Sequence, residues 1–324
     1  MRGKTNVTKN PMLRYILKRL VTMIPVLIGV TLITYGLMYI SPSDPVEMLL
    51  QAQGIPVSEE VVEAMRVKAG LDQPFLIQYG TWLWNFIRGD MGVSLVNGTS
   101  IGLALQAALP KTLILTLSSM LVTVIISIPL GIYTAIRQNR FSDYVIRVLG
   151  FVGNAMPSFL VSLLLMYFMA IKLKWLPVLA SDSFVGLIMP TLALAIPMTG
   201  KYIRQVRAAV LEQLGKSYVD GAISRGINPK IVLFKDVLRN SLVTIVTLMA
   251  LSIGSLLGGT AAVECIFSWR GVGSMVMDSI QTRDYPMIQA FVVWMAIIYV
   301  LVNLAADISY YLLDPRIRKN LGVE

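Results

Sequence analysis

The sequence predicts an all-α integral membrane protein: six membrane-spanning helices, with a helical extracytoplasmic insertion between the first and second. Three observations carry this expectation. The chain is 56% apolar and only 14% charged, with a mean hydropathy of +0.70, where a soluble domain carries about 25% charged residues. Its apolar residues gather into six runs, each near the roughly 20 residues a helix needs to cross a bilayer. Finally, its basic residues fall unevenly between the connections that alternate along those runs.

The runs are Leu20–Ile40, Leu109–Ile136, Val145–Ile171, Phe184–Ile203, Leu242–Val263 and Ile288–Leu312. The first follows Arg14, Lys18 and Arg19, as a secretory signal would. It outlasts the roughly 7–15 apolar residues of such a signal and ends in Ser41-Pro42-Ser43-Asp44-Pro45, so a retained helix is expected. With a cytoplasmic N-terminus, 20 of the 28 basic residues lie on the inside, and the stretch Lys201–Arg239 supplies eight of them. Of the 18 acidic residues, 11 lie outside, six lie inside, and Asp307 falls within the last helix. The net charge of +10 is therefore a topology signal, with attraction to anionic lipid as a by-product, and not a nucleic-acid footprint. The expected organisation is a cytoplasmic segment 1–19, a first helix 20–40, an external insertion 41–108, a five-helix core 109–312 and a cytoplasmic tail 313–324.

Composition excludes several chemistries. The chain has no histidine and one cysteine, Cys265. It holds no internal disulfide, no Ser-His-Asp or Cys-His nucleophile and no histidine-containing zinc site. No catalytic, cofactor-binding or metal-ligating residue is assigned, and the chain is expected not to be an enzyme.

Within the insertion, Ser58–Gly70 and Pro74–Arg88 read as helices. Ser58 is placed to cap, and Glu59 and Glu60 suit a helix N-terminus. Trp82, Trp84 and Phe86 fit an interfacial belt or plain packing equally well. Gly215-Lys216-Ser217 resembles the end of a phosphate-binding loop, but the glycine required five positions earlier is Val210 and no strand precedes it. Nucleotide binding by this chain is not expected.

The cytoplasmic loop 204–240 is more informative. A short helix starts near Ser217, Gly226 suits a left-handed stop, and Pro229 lies just beyond. Followed by Ile231-Val232-Leu233-Phe234, this helix is either a docking element or a solvated linker.

At this point the residues resemble a known family. Tyr218, Val219, Ala222, Gly226, Leu233, Phe234, Leu238, Arg239 and Asn240 are similar to the cytoplasmic loop of ABC importer permeases of the nickel/peptide class. The chain departs at Asp220 and Gly221, where that branch more often has a basic residue and threonine; glycine costs about 1 kcal/mol against alanine in a helix. The resemblance continues through Ser43-Asp44-Pro45, Gly89-Asp90-Met91-Gly92-Val93-Ser94, Leu109-Pro110-Lys111-Thr112-Leu113 and Met156-Pro157-Ser158-Phe159. It closes with Gly271-Val272-Gly273, Arg283-Asp284-Tyr285-Pro286 and Asp314-Pro315-Arg316-Ile317-Arg318.

The resemblance implies a type I ABC importer permease fold in a prokaryotic cytoplasmic membrane, with both termini cytoplasmic. It implies a second homologous permease, two ATP-binding subunits that hold the ATP and magnesium, and an extracytoplasmic substrate-binding protein. It makes Tyr218, Asp220, Gly221, Ala222 and Gly226 the residues that couple to the ATPase. Gly70-Leu71-Asp72-Gln73-Pro74 and Gln78–Trp84 are similar to nickel-type permeases, so the expected cargo is nickel or a nickel chelate. The alternative is a dipeptide or oligopeptide importer of the same architecture, and a non-ABC secondary transporter or channel is the second alternative. Glu264 and Asp307 are carboxylates in or at the end of a span, where either a pathway contact or an inter-helix hydrogen bond explains them. Gly254-Ser255-Leu256-Leu257-Gly258 is a small-xxx-small pattern that permits close helix approach. Pro129, Pro157, Pro190 and Pro197 can kink or break spans, and the 18 methionines read as packing.

Overall fold

The computed structural model describes residues 11–40, 45–52, 54, 58–180 and 183–313. Ser43, Asp44 and the 314–318 motif lie outside these residues. Among the described residues, regular structure is helical apart from one antiparallel bridge between Val93 and Ser100.

The helices are α1 (Pro11–Ile40), α2 (Pro45–Ala52), α3 (Glu59–Ala69), α4 (Phe75–Ile87), α5 (Ile101–Ile136), α6 (Phe141–Ala155), α7 (Ser158–Leu165), α8 (Phe184–Leu214), α9 (Ser217–Ser224), α10 (Pro229–Ile231), α11 (Leu238–Phe267), α12 (Val272–Gln281) and α13 (Tyr285–Leu313). Two π-helical segments, Met166–Lys172 and Val232–Val237, extend α7 and join α10 to α11.

Among the described residues, five helical stretches are long and apolar enough to cross a membrane: Arg19–Ile40, Ile101–Ile136, Phe184–Leu214, Pro229–Gly254 and Tyr285–Ala306. The sixth expected span, Val145–Ile171, is not one rod. It is a pair, α6 and the α7 stretch ending at Lys172, bent by 101° at Met156-Pro157. Proline lacks the N–H that would continue the ladder and forces Met156 into an extended conformation (φ −82°, ψ 126°). Pro190 and Pro197, by contrast, lie within the continuous helix α8.

The chain divides into two compact units. The first comprises 1–19, 113–269 and 301–324, and the second 20–112 and 270–300.

In the first unit, α8 is the central element, packed by α6, α7 and α11. The α6–α8 contact is backbone on backbone: a Cβ added at Gly200 would collide with the Gly150 carbonyl oxygen and approach the Asn154 nitrogen to 2.9 Å. On α5, a Cβ at Gly131 would meet Val206 at 2.6 Å. Gly258, within the pattern expected to give close helix approach, has nothing within 4 Å of an added Cβ. The close approaches fall at Gly131, Gly150 and Gly200 instead, because helix orientation decides which small residue faces a neighbour.

In the second unit, α4 packs its aromatic face on α1. Tyr35 lies 5.6 Å from Trp82 and 5.7 Å from both Phe75 and Tyr79, ring to ring. Trp82 and Phe86 also meet at 5.4 Å, whereas Trp84 is exposed with the Arg88 guanidinium 4.5 Å from its ring centre. Packing accounts for the first two rings and not for Trp84. Helix α3 starts after Ser58 as expected, but the Ser58 hydroxyl makes no cap bond; its carbonyl accepts the Val62 N–H at 3.0 Å.

Candidate functional site

Helix α9 forms over Ser217–Ser224 despite Gly221 at its centre. Val219 and Ala222, three residues apart and so on one face, are buried against Tyr202, Val206, Ala209 and Val210 of α8 and Val232, Leu233 and Val237 of the following segment. That burial offsets the glycine penalty.

The helix ends as its chemistry requires. Gly226 takes φ +82°; its N–H donates to the Ile223 carbonyl at 2.9 Å, and the Ile227 N–H donates to the Ala222 carbonyl at 3.2 Å. These two bonds define a Schellman stop, which a left-handed glycine makes without strain. Asn228 then caps the next turn, its side-chain oxygen accepting the Lys230 N–H at 2.9 Å with Pro229 at the first helical position.

Tyr218 ties the start of α9 to both neighbours. Its hydroxyl donates to Gln213 Oε1 at 3.2 Å and accepts from Asn240 Nδ2 at 3.4 Å. The expected loop 204–240 is thus mostly helix: α8 runs on to Leu214, and a continuous rod begins at Pro229. Apolar positions Val206, Ala209 and Val210 keep α8 helical past the span, because they are buried under α9 and the rod.

The outward side carries Asp220, Gly221 and Arg225, all exposed. It also carries large apolar side chains that this chain leaves uncovered: Ile223 at 45%, Ile231 at 54% and Phe234 at 65% exposed, with Ile227 close by. Such a patch beside a rigid, doubly anchored helix is a surface built to be covered.

An ion pair that no local pattern announces braces α8. Asp143, fully buried at the third position of α6, receives Arg207 of α8 through Nε at 3.1 Å and Nη2 at 3.0 Å. The Asn139 N–H donates to the same carboxylate at 3.1 Å, and Arg147 stands 3.8 Å away. Sixty-four residues separate the partners, so no sequence window holds both. Arg207 carries more than the topology signal read from it.

The remaining residues singled out in the sequence fall elsewhere. Glu264 is fully buried in α11, between Val263 and Phe267, and its carbonyl accepts the Trp269 N–H at 2.8 Å. The side chain of Asp307 lies outside the described residues.

Two pairs of family-like motifs prove to be structural joints within the second unit. The Ser94 hydroxyl donates to the buried Asp284 carboxylate, which also accepts the Leu95 N–H at 3.2 Å. Thr112 Oγ1 accepts the Val272 N–H at 2.8 Å. Gln78, from the stretch likened to nickel-type permeases, accepts from the Tyr35 hydroxyl at 3.3 Å and donates to the Leu71 and Gln73 carbonyls. That stretch has packing reasons for its identity, independent of cargo. Among the described residues no group of three or more His, Cys, Asp or Glu converges to hold a metal ion.

Comparison with known proteins covers nearly the whole chain. Residues 12–116 match the family described as the N-terminal part of binding-protein-dependent transport system membrane components, and residues 127–319 match the inner membrane component itself. The glutathione transport system permease protein GsiC of Salmonella choleraesuis (strain SC-B67) is 34% identical over 307 residues, covering 95% of this chain and 99% of that protein. GsiC of Escherichia coli (strain K12) is 33% identical over the same coverage. A chain of the MetNI methionine ABC transporter, solved in inward-facing conformations, matches with a TM-score of 0.54 over 65% of this chain and 96% of that chain, at 15% identity, a likeness of fold. From sequence family, apolar helices and fold together, the chain belongs to the binding-protein-dependent transport system inner membrane components, multi-pass permeases of type I ABC importer fold.

Proposed function

We propose that this chain is one of two homologous permeases of an importer for small peptides, driven by ATP hydrolysed with magnesium on two partner subunits and fed by an extracytoplasmic binding protein. The observation that carries the coupling part is the α9 platform. A helix anchored by Val219 and Ala222, stopped at Gly226 and braced by Tyr218 presents Ile223 outward, and the segment after it presents Ile231 and Phe234. Closure of the ATP-binding subunits would press on this surface through Tyr218, Asp220, Gly221, Ala222 and Gly226. Helix α8, continuous with the platform, would carry the displacement into the span. Nucleotide drives the change only by binding the two states with different affinity. In this reading both termini and α9 are cytoplasmic and the insertion 41–108 is external, as the basic residues distribute.

For cargo, the peptide alternative is better supported than nickel. The similar proteins are glutathione permeases, and the stretch that suggested nickel is occupied with packing. Glu264 and Asp307 stand as inter-helix polar contacts in this reading, not as metal ligands. The test is uptake of labelled glutathione and dipeptides, alongside cell-associated nickel, in cells lacking and regaining the gene. Peptide uptake is expected to fall and return while nickel stays level. A fall in nickel that ignores competing peptide would restore the nickel reading and leave the architecture intact.

A further inference from the structure

Lys201 was counted from sequence with the cytoplasmic charges. The structure places it inside α8, 17 residues beyond Phe184, or about 26 Å along the helix. Counted from Phe184 as the start of the span, that is within the roughly 30 Å hydrocarbon thickness, where a charged side chain is costly and marks a pathway or a paired site. Among the described residues no carboxylate pairs with it: its Nζ donates to Ser252 Oγ at 3.3 Å and lies 5.9 Å from the Tyr202 ring centre.

The surroundings explain the tolerance. Lys201 and Asn154 line a cleft of about 380 Å³ together with Arg204 and Gln205. The same two residues line an adjoining hollow of about 250 Å³ with Ser158 and Gly259. Asn154 and Ser158 flank the Pro157 break, where α6 turns by 101° into α7. Gly259 contributes no side chain, and a Cβ added there would meet nothing within 4 Å. The walls carry two positive charges, the carboxamides of Asn154 and Gln205, and no acidic residue. The Gln205 side-chain oxygen is buried with no hydrogen-bond partner among the described residues. The cleft thus offers cations to an anion and an idle acceptor to an N–H donor, and it repels a bare metal cation.

We propose that this cleft is a cargo subsite in which Lys201 and Arg204 receive the free carboxylate of a short peptide while Asn154 and Gln205 hydrogen-bond its amide or amino groups. The inference rests on the peptide reading above and deepens it. Charge-assisted bonds from ammonium or guanidinium to carboxylate are the strong kind, and each is lost with the cation.

The test uses the complete transporter in proteoliposomes, supplied with saturating loaded binding protein, and compares a peptide with its C-terminally amidated form. The wild type is expected to move the free acid faster. Lys201→Gln with Arg204→Gln should cut the free-acid rate about tenfold and bring the ratio of the two rates close to one. Lys201→Arg, which keeps the charge, should restore most of the preference. Membrane abundance and binding-protein-stimulated ATPase activity separate this from misfolding. A ratio unchanged in the double variant at normal abundance overturns the subsite and leaves peptide transport standing. Absence of transport of either form by the wild type overturns the peptide reading itself. A loss equal for both peptides that vanishes when anionic lipid is left out of the vesicles assigns the cations to a lipid phosphate and overturns the proposal.

Discussion

The seam between α6 and α8 and the platform around α9 lie along the same helix, yet opposite means build them. At the seam nothing stands between the backbones: Gly150 meets Gly200 directly, and the buried Asp143–Arg207 pair pins the far end. At the platform Val219 and Ala222, with Val232 and Leu233 of the next segment, are driven inward, while isoleucines and a phenylalanine face out. A seam without side chains cannot slide without losing contact, so α6 and α8 suit motion as one body. A small helix with two buried anchors and an open apolar face has most of its contact capacity left for a partner. The comparison assigns rigidity to the span and recognition to its end.

The largest effect that would break this comparison is at the seam. Gly200→Val places a branched side chain against the Gly150 carbonyl and should destabilise by roughly 3–4 kcal/mol. A wild-type thermal midpoint in detergent would show that the seam is looser than described. Asp143→Ala leaves Arg207 without its buried carboxylate and should cost about 3 kcal/mol. Arg207→Ala in the same background should cost much less than it does alone, and additive losses would deny the pairing.

The platform predicts a different pattern. Phe234→Ser should move stability by no more than about 0.5 kcal/mol but weaken assembly with the ATP-binding subunits by about 2 kcal/mol, read by co-purification and transport. Full transport by this variant would turn the patch into an ordinary exposed surface. Gly226→Ala should have the smallest effect, about 1 kcal/mol, because an added Cβ meets no atom and only φ +82° resists it. A loss of transport well beyond that shift would mean that a partner occupies the open space beside Gly226.

How much of this was legible in the sequence varies with the range of the interaction. Helix α9 was readable because its signals are local: Ser217 near the start, Gly226 in the left-handed position, Pro229 opening the next turn. The insertion helices were readable for the same reason, with Gly70 repeating the glycine stop at φ +69°. The small-residue pattern at Gly254–Gly258 says that an approach is possible but not which face meets a neighbour, and Gly258 meets none among the described residues. Lys201 falls inside the expected span Phe184–Ile203, but its neighbours were not readable there, because they come from distant helices while α8 continues to Leu214 under cover of α9. The motifs around Ser94 and Asp284 were each visible, but their 190-residue separation hid the bond between them.

By itself the sequence determined the six apolar runs, the charge asymmetry between their connections and the local stops and caps around α9. Hydropathy, charge and turn chemistry act over a few residues and need no partner to be read. Only the tertiary structure decided the 101° bend at Pro157, the glycine contact of α6 with α8, the Asp143–Arg207 pair and the cleft that surrounds Lys201. Each of these depends on which faces of distant helices come together, and close packing, unlike hydropathy, is a property of the assembled helices.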